Sequence, residues 1–266
     1  MRRSSTLWIV AFLLTLVAAV YQRMTGPSYP VRGSVTLNGQ AYRLRLTRTH
    51  VTTQDQAVTL EIPDQMVQGE VKWRRFPTED PYQTLPLVRT DGFLRAALPK
   101  QPPAGKLEYQ VLLGRGVEQQ LFPPRPAVTR FKNPESPYVL IPHILAMFAA
   151  MLLSTRAGLA AVTGASTAAL TYLTLGFLVA GGFVLGPIMQ KQAFGALWTG
   201  IPFGFDLTDN KTLIAVAAWA FAAWQVGARR TYARWAVVGA AVATMVVFAI
   251  PHSVWGSQID WSQQPR

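Results

Sequence analysis

His143, in YVLIPHIL, and His252, in FAIPHSVWG, each follow a proline at one end of a long apolar run. Between them in the chain lies WTGIPFGFDLTDNKTL, which sets Asp206, Asp209, Asn210 and Lys211 within six positions. Three chemistries suit these residue types. Two imidazoles from different helices can hold a haem b. His143 and His252 with Asp206 or Asp209 form a donor set that suits several divalent metals. A His–Asp pair can move protons in a hydrolysis. The stronger signatures are missing from the sequence: there is no His-x-x-x-His, nucleophile elbow or phosphate loop, and with no cysteine, thiolate ligands, thiol nucleophiles and disulfides are excluded.

The same residues have a plainer reading, which the sequence favours. An imidazole is tolerated where a membrane helix meets headgroups and water. Thr208 or Asp209 can cap the next helix, whose first N–H groups lack partners and whose dipole favours a carboxylate there. Lys211 can snorkel to the surface. Unexplained by capping is AFGALWTGIPFGF, which is apolar, aromatic and broken by Gly195, Gly200, Pro202 and Gly204. It is too short to cross a bilayer and is expected to lie in the interface or re-enter, sheltered by protein.

The elements that must position these groups follow from charge and hydropathy. Charged residues make up 14% of the 266-residue chain, against about 25% in a globular domain. Residues 23–135 hold 16 of the 25 basic and 10 of the 13 acidic residues, so one water-soluble domain and a separate membrane domain are expected. Arg2 and Arg3 precede an uncharged stretch from Ser4 to Gln22, near the ~20 residues that a span requires. It reads as a signal anchor over residues 1–22. A cleaved signal peptide, with Val17 and Ala19 at the cleavage site, is the rival. Four more spans are expected: Ser136–Thr155, a segment near Thr167–Leu185, Thr212–Ala228 and Trp235–Ile250. They form a bundle over residues 136–252 with an outer loop at 186–211 and an outer tail at 253–266, where Trp255 and Trp261 suggest an aromatic belt.

With the N-terminus inside, the inner segments contain Arg2, Arg3, Arg156, Arg229, Arg230 and Arg234 and no acid at all. This is the asymmetry of the positive-inside rule, and it predicts an N-in, C-out topology. The net charge of +12 is thus divided by membrane side rather than gathered in a stripe, which disfavours nucleic acid as a partner. In this topology His143, His252, Asp206, Asp209, Asn210, Lys211 and Asp260 all reach the outer layer.

Residues 30–135 read as strands. Tyr42, Leu44 and Leu46 alternate with Arg43, Arg45 and Thr47, a period of two with one face buried and one basic. Asn38-Gly39 marks a hairpin turn. Further strands are expected at Ala57–Ile62, Gly69–Phe76, Thr84–Val88, Gly92–Ala97, Lys106–Leu113, Val117–Phe122 and Ala127–Phe131. This number and spacing suggest an immunoglobulin- or fibronectin-like β-sandwich. His50 stands alone, and Trp73, flanked by Lys72 and Arg74, is expected in the core. The Arg43/Arg45 face reads as a solvated face that could also dock an acidic partner or anionic lipid. Gly181, Gly182 and Gly186, with Ala146, Ala149 and Ala150, offer small surfaces for helix packing, within one bundle or a homo-oligomer.

The segments YQRMTGPSYPVRGSVTLNG, LPKQPPAGKLEYQV, IPHILAMFAAMLLSTRAG, GPIMQKQAFGALWTGIPFGFDLTDNKTL and IPHSVWGSQIDW resemble an uncharacterised family of bacterial inner-membrane proteins. The resemblance covers nearly the whole chain. It implies a multi-pass protein of the bacterial cytoplasmic membrane with an exported, periplasmic β domain, and it implies no activity. The expected function is non-enzymatic: interaction, assembly or sensing toward a periplasmic or membrane protein partner, with the lipid bilayer as the constant partner. The alternatives are a haem- or metal-binding membrane protein using His143 and His252, and a membrane hydrolase.

Overall fold

The computed structural model describes residues 2–251, Ile259 and Trp261. The chain separates into two units, one holding Met1–Gly26 and Glu135–Ser257, the other Pro27–Pro134 and the residues from Gln258.

In the second unit, local alternation dictates the strands. Tyr42, Leu44 and Leu46 are buried and Arg43 and Arg45 between them are exposed, so β2 (Gln40–Leu46) has one apolar and one basic face. It pairs antiparallel with β1 (Val31–Leu37). The turn between them places Asn38 and Gly39 at φ of 48° and 79°. This left-handed pair matches the right-handed twist of a hairpin, and Asn and Gly enter it at least cost.

Eight more strands follow: β3 (Thr49–Val51), β4 (Gln56–Glu61), β5 (Gln68–Arg75), β6 (Gln83–Pro86), β7 (Val88–Thr90), β8 (Phe93–Leu98), β9 (Lys106–Arg115) and β10 (Glu118–Lys132). One sheet runs β3-β10-β9-β5-β6 and another β4-β8-β7, with β1-β2 as a separate ladder. The contact of β3 with β10 is parallel and the other pairings are antiparallel.

Two expectations change. Val117–Phe122 and Ala127–Phe131 form a single strand, β10, with a register shift between Phe122 and Ala127. Pro123, Pro124 and Pro126 lack the N–H groups that would continue the ladder there, so the strand bulges and then resumes. Thr84–Val88 is instead divided at Leu87. Its first half pairs with β5 and its continuation, β7, pairs with β8 in another sheet.

The inward residues of all three sheets pool into one core that includes Leu37, Leu46, Leu60, Leu98, Val111, Leu113 and Phe131. Trp73 lies in it at 8% exposure. A buried polar chain threads the core: the Tyr109 hydroxyl donates to the Thr47 carbonyl at 2.6 Å, and Gln56 joins the Thr47 and Thr129 hydroxyls at 2.9 and 2.7 Å. Burial pushes the Tyr109 phenol well above its ordinary range. Trp261 also belongs to this unit. Its indole donates to the Phe76 carbonyl at 3.0 Å, and the Arg75 guanidinium lies 4.9 Å from a Trp261 ring centroid. Trp261 thus makes a hydrogen bond and a cation–π contact within this unit; Trp255 lies outside the described residues.

The first unit is helical: α1 (Arg2–Thr25), α2 (Pro137–Val162), α3 (Ala168–Leu178), α4 (Gly186–Phe194), α5 (Leu207–Gly227) and α6 (Ala233–Ala249). A π-helical turn, Val179–Leu185, joins α3 to α4 without a break. Three helices are long and apolar enough to cross a membrane: Ser4–Thr25, Pro137–Val162 and Ala168–Phe194. The third extends beyond the expected Thr167–Leu185, so the loop expected at 186–211 is reduced to residues 195–206. Pro187 does not end this helix. It cannot donate to a carbonyl one turn back, and the wide π turn just before it accommodates the missing bond.

Small residues set the helix spacing. A Cβ on Gly181 would stand 2.8 Å from Met147 Sδ and 3.0 Å from Ala146 Cβ, on α2. One on Gly182 would stand 2.5 Å from Thr212 Cγ2, on α5. The interior of the unit is rich in alanine (Ala150, Ala157, Ala161, Ala215, Ala222) around Leu178 and Trp219. Its exterior is richer in large apolar side chains, among them Ile9, Phe12, Leu13, Leu145, Phe148, Leu173, Phe221, Trp224 and Val246.

Candidate functional site

The polar cluster after Trp198 is assembled by the start of α5 and the loop that precedes it. Asp206, not Thr208 or Asp209, is the N-cap: its Oδ1 accepts the Thr208 N–H at 2.7 Å. The reason is that helical backbone begins at Leu207, earlier than the apolar pattern alone suggests, so the capping position falls three residues before Asp209.

This frees Asp209 for another role. It lies in the first turn of α5 at 6% exposure. Its Oδ2 accepts the backbone N–H of Thr199 at 2.6 Å and of Gly200 at 3.0 Å, with Gln190 Nε2 at 3.2 Å and the Thr199 hydroxyl at 3.3 Å. Gln190, on α4, also donates to the Thr199 hydroxyl at 2.7 Å. Asn210 Oδ1 takes the next amide, that of Ile201, at 2.7 Å. Three successive loop N–H groups thus end on two adjacent side chains of α5.

The loop is shaped to allow this approach. A Cβ on Gly200 would lie 2.6 Å from Asp209 Cβ and 2.7 Å from Asn210 Oδ1. One on Gly204 would lie 2.4 Å from the Thr199 carbonyl oxygen. Gly195 ends α4 at φ 88°, the left-handed conformation of a helix C-cap. The outward product of this latch is apolar: Leu197 and Ile201 are half exposed, and Phe203 and Phe205 are 81% and 87% exposed.

Lys211 does not snorkel. It is 4% exposed, and its Nζ donates to the carbonyl of Ile250, the C-cap residue of α6, at 2.5 Å. It ties the start of α5 to the end of α6, as Gln22 ties α1 to α6 by donating to the Phe248 carbonyl at 2.5 Å.

His143 is placed against the π turn. Its Nδ1 lies 2.9 Å from the Gly181 carbonyl oxygen. A carbonyl only accepts, so Nδ1 is the nitrogen that carries a proton toward Gly181. Gly181 is also the acceptor for the Gly186 N–H that closes the π turn. His252 and Asp260 lie outside the described residues, so the expected pairing of His143 with His252 is not addressed by the fold. Among the described residues no three His, Asp or Glu side chains gather as a metal cluster. Asp206 and Asp209 meet backbone N–H groups, and His143 meets a carbonyl on a different helix.

Sequence reasoning missed the partners. Gln190, Thr199 and Gly200 complete the latch, yet a lone glutamine at the end of an apolar run and a Thr-Gly pair carry no signal of their own. Only the crowding of Asp209 and Asn210 directly after a glycine-broken loop pointed there.

Three helices are long and apolar enough to cross a membrane and a separate unit is built of β-sheets, which is consistent with a membrane protein carrying a β-rich region. No family model, curated protein or solved structure matches the chain.

Proposed function

We propose that this chain is a five-span protein of the bacterial cytoplasmic membrane, N-terminus inside and C-terminus outside. In this reading it presents a sandwich-like β domain and the latched loop 195–206 to a protein partner in the periplasm. Its role is interaction, assembly or sensing rather than catalysis. The observation that carries the membrane part is the inverted surface of the helical unit, where alanines fill the interior and Phe, Leu, Ile and Trp face outward on α1, α2, α3, α5 and α6. Water drives large apolar side chains inward, whereas lipid accepts them and leaves close packing of small residues to hold helices together. The pattern extends to α5 and α6, which supports five spans rather than three. The non-catalytic part is supported by the occupation of Asp206, Asp209 and Asn210 with backbone amides.

Because the chain lacks cysteine, Arg230→Cys creates a unique thiol on the inner side of the proposed topology. An impermeant maleimide should leave it unmodified in intact spheroplasts and label it after lysis; labelling before lysis rejects the topology. A photo-crosslinking residue at Arg45, on the exposed basic face of β2, should then give a covalent adduct with a second protein in cells. Adducts with lipid alone would reject the partner role at this face.

A second reading keeps His143 as a ligand to haem or a divalent metal, with His252, expected in the same outer layer after the last span, as its partner. What favours it is the Gly181 carbonyl on Nδ1, since a backbone acceptor on one ring nitrogen is the usual way of orienting the other toward a metal. An absorption spectrum and metal analysis of protein purified in mild detergent decides between them. A Soret band or stoichiometric metal lost in His143→Ala establishes this second reading.

A further inference from the structure

Arg156, on α2, is 7% exposed. Its guanidinium lies 5.3 Å from the ring centroid of Trp8 on α1, and its Nη2 reaches Ser4 Oγ at 3.4 Å. Its Nε and Nη1 are buried with no hydrogen-bond partner. Arginine stays charged at any accessible pH, so deprotonation offers no relief. An unpaired buried charge is among the costlier features a fold can hold. The helices packed around it offer no counter-ion: α1, α2 and α6 contain no Asp or Glu. Asp206 and Asp209, at the start of α5, are committed to the N–H groups of Thr208, Thr199 and Gly200.

We propose that Arg156, with Ser4 and Trp8, forms an interhelical site for a phosphate group, supplied by the headgroup of an anionic phospholipid. Trp8 holds the guanidinium plane by a cation–π contact. The unpartnered Nε and Nη1 suit a phosphate once the side chains covering them part, because the parallel N–H groups of a guanidinium match two oxygens on one phosphorus. Ser4 adds a hydroxyl that can donate to the same anion. The lipid source rests on the membrane reading above, in which this end of α1 and α2 meets the inner headgroup layer, where basic pockets between helices take anionic headgroups. The bound phosphate would neutralise the charge and pin α1 to α2.

The test uses the full chain in mild detergent, delipidated and then titrated separately with phosphatidylglycerol, phosphatidylcholine or inorganic phosphate. Phosphatidylglycerol should raise the wild-type Tm by about 5 °C at saturation, phosphatidylcholine by much less, and Arg156→Gln should abolish the difference. Arg156→Lys, which keeps the charge but loses the paired N–H geometry, should retain only part of it. Equal shifts in wild type and Arg156→Gln overturn the proposal. A full shift from millimolar inorganic phosphate keeps the site and overturns the lipid as its source. Should Arg156→Gln fail to fold, native mass spectrometry of the wild type decides: retained phosphatidylglycerol supports the site, and a bare protein overturns it. Micelles have no inner side, so a failed spheroplast test would relocate the headgroup without touching this result.

Discussion

The carboxylate of Asp209 accepts the backbone N–H of Gly200 at 3.0 Å, and the space between the two residues is too small for any side chain at position 200. The loop before α5 is therefore held to the helix by an acceptor that its own residues do not provide.

Gly200→Ala should dislodge this latch, since its Cβ would fall within 2.7 Å of both Asp209 and Asn210 atoms. Asp209→Ala should open the same loop by leaving the Thr199 and Gly200 amides without an acceptor, at about 2–3 kcal/mol. Amide hydrogen exchange at residues 199–201 reads both, and unchanged protection would show that the loop is held by something else.

Gly182 and Thr212 form a contact in which either residue can be changed. Gly182→Ala alone should lower the stability of the bundle by about 1–3 kcal/mol through overpacking. Adding Thr212→Ser, which removes the methyl that a Cβ would strike at 2.5 Å, should recover most of that loss. Additive effects of the two changes would mean that this approach does not limit helix packing.

Arg89 donates to three carbonyls, those of Ile62, Asp64 and Val67, at 2.6, 2.8 and 2.6 Å. It organises the turn between β4 and β5 from β7. Arg89→Ala removes a donor from all three carbonyls, leaving Asp64 only the Val67 N–H, and should cost the β unit about 3 kcal/mol. Arg89→Lys should rescue little, because a point charge cannot reach three carbonyls with fixed geometry. Chemical denaturation of the full chain, followed by the fluorescence of Trp73, measures both.

Asp64 supplies a pH dependence. The Met66 N–H, with the Tyr42 hydroxyl and the charges of Arg115 and Arg89, holds its carboxyl below the ordinary value. The folded state therefore binds its proton more weakly than the unfolded state. Its contribution is present above the usual carboxylate range, near pH ~4, and is lost as pH falls through that range. Stability measured from pH 6 to pH 3 should fall less steeply in Asp64→Asn than in wild type; parallel curves would remove Asp64 from the acid limb.

Tyr109 acts in the opposite direction. Burial raises its phenol, so the unfolded chain loses that proton first as pH climbs past about 10, and the β unit weakens from there upward. Tyr109→Phe should cost about 1–2 kcal/mol at neutral pH, from the bond to Thr47, and should flatten the alkaline limb. A variant that loses stability at neutral pH while retaining the full alkaline slope would assign that slope to another group.

Strand positions were readable because the signal is local. In β2 the sequence Tyr-Arg-Leu-Arg-Leu turns directly into buried and exposed faces, and Asn38-Gly39 carries its turn in two residues. Apolar helices were readable for the same reason, since a run such as Pro137–Val162 is apolar along its own length. Where partners are distant, reading failed. Asp209 looked like a cap because capping is the local use of an acid at a helix start, yet its acceptor oxygen serves residues nine and ten positions back and a glutamine nineteen back.

Periodicity and hydropathy are properties of neighbouring residues, so the amino-acid order alone was enough to place most strands, the hairpin and the apolar stretches along the chain, though not where the strand after Glu118 continues or the third helix ends. The burial of Lys211 and Arg156, the π turn that carries the third helix past Pro187, and the task of Asp209 came from packing. Each depends on which carbonyl, amide or ring another part of the chain brings within about 3–5 Å, and no local pattern encodes that distance.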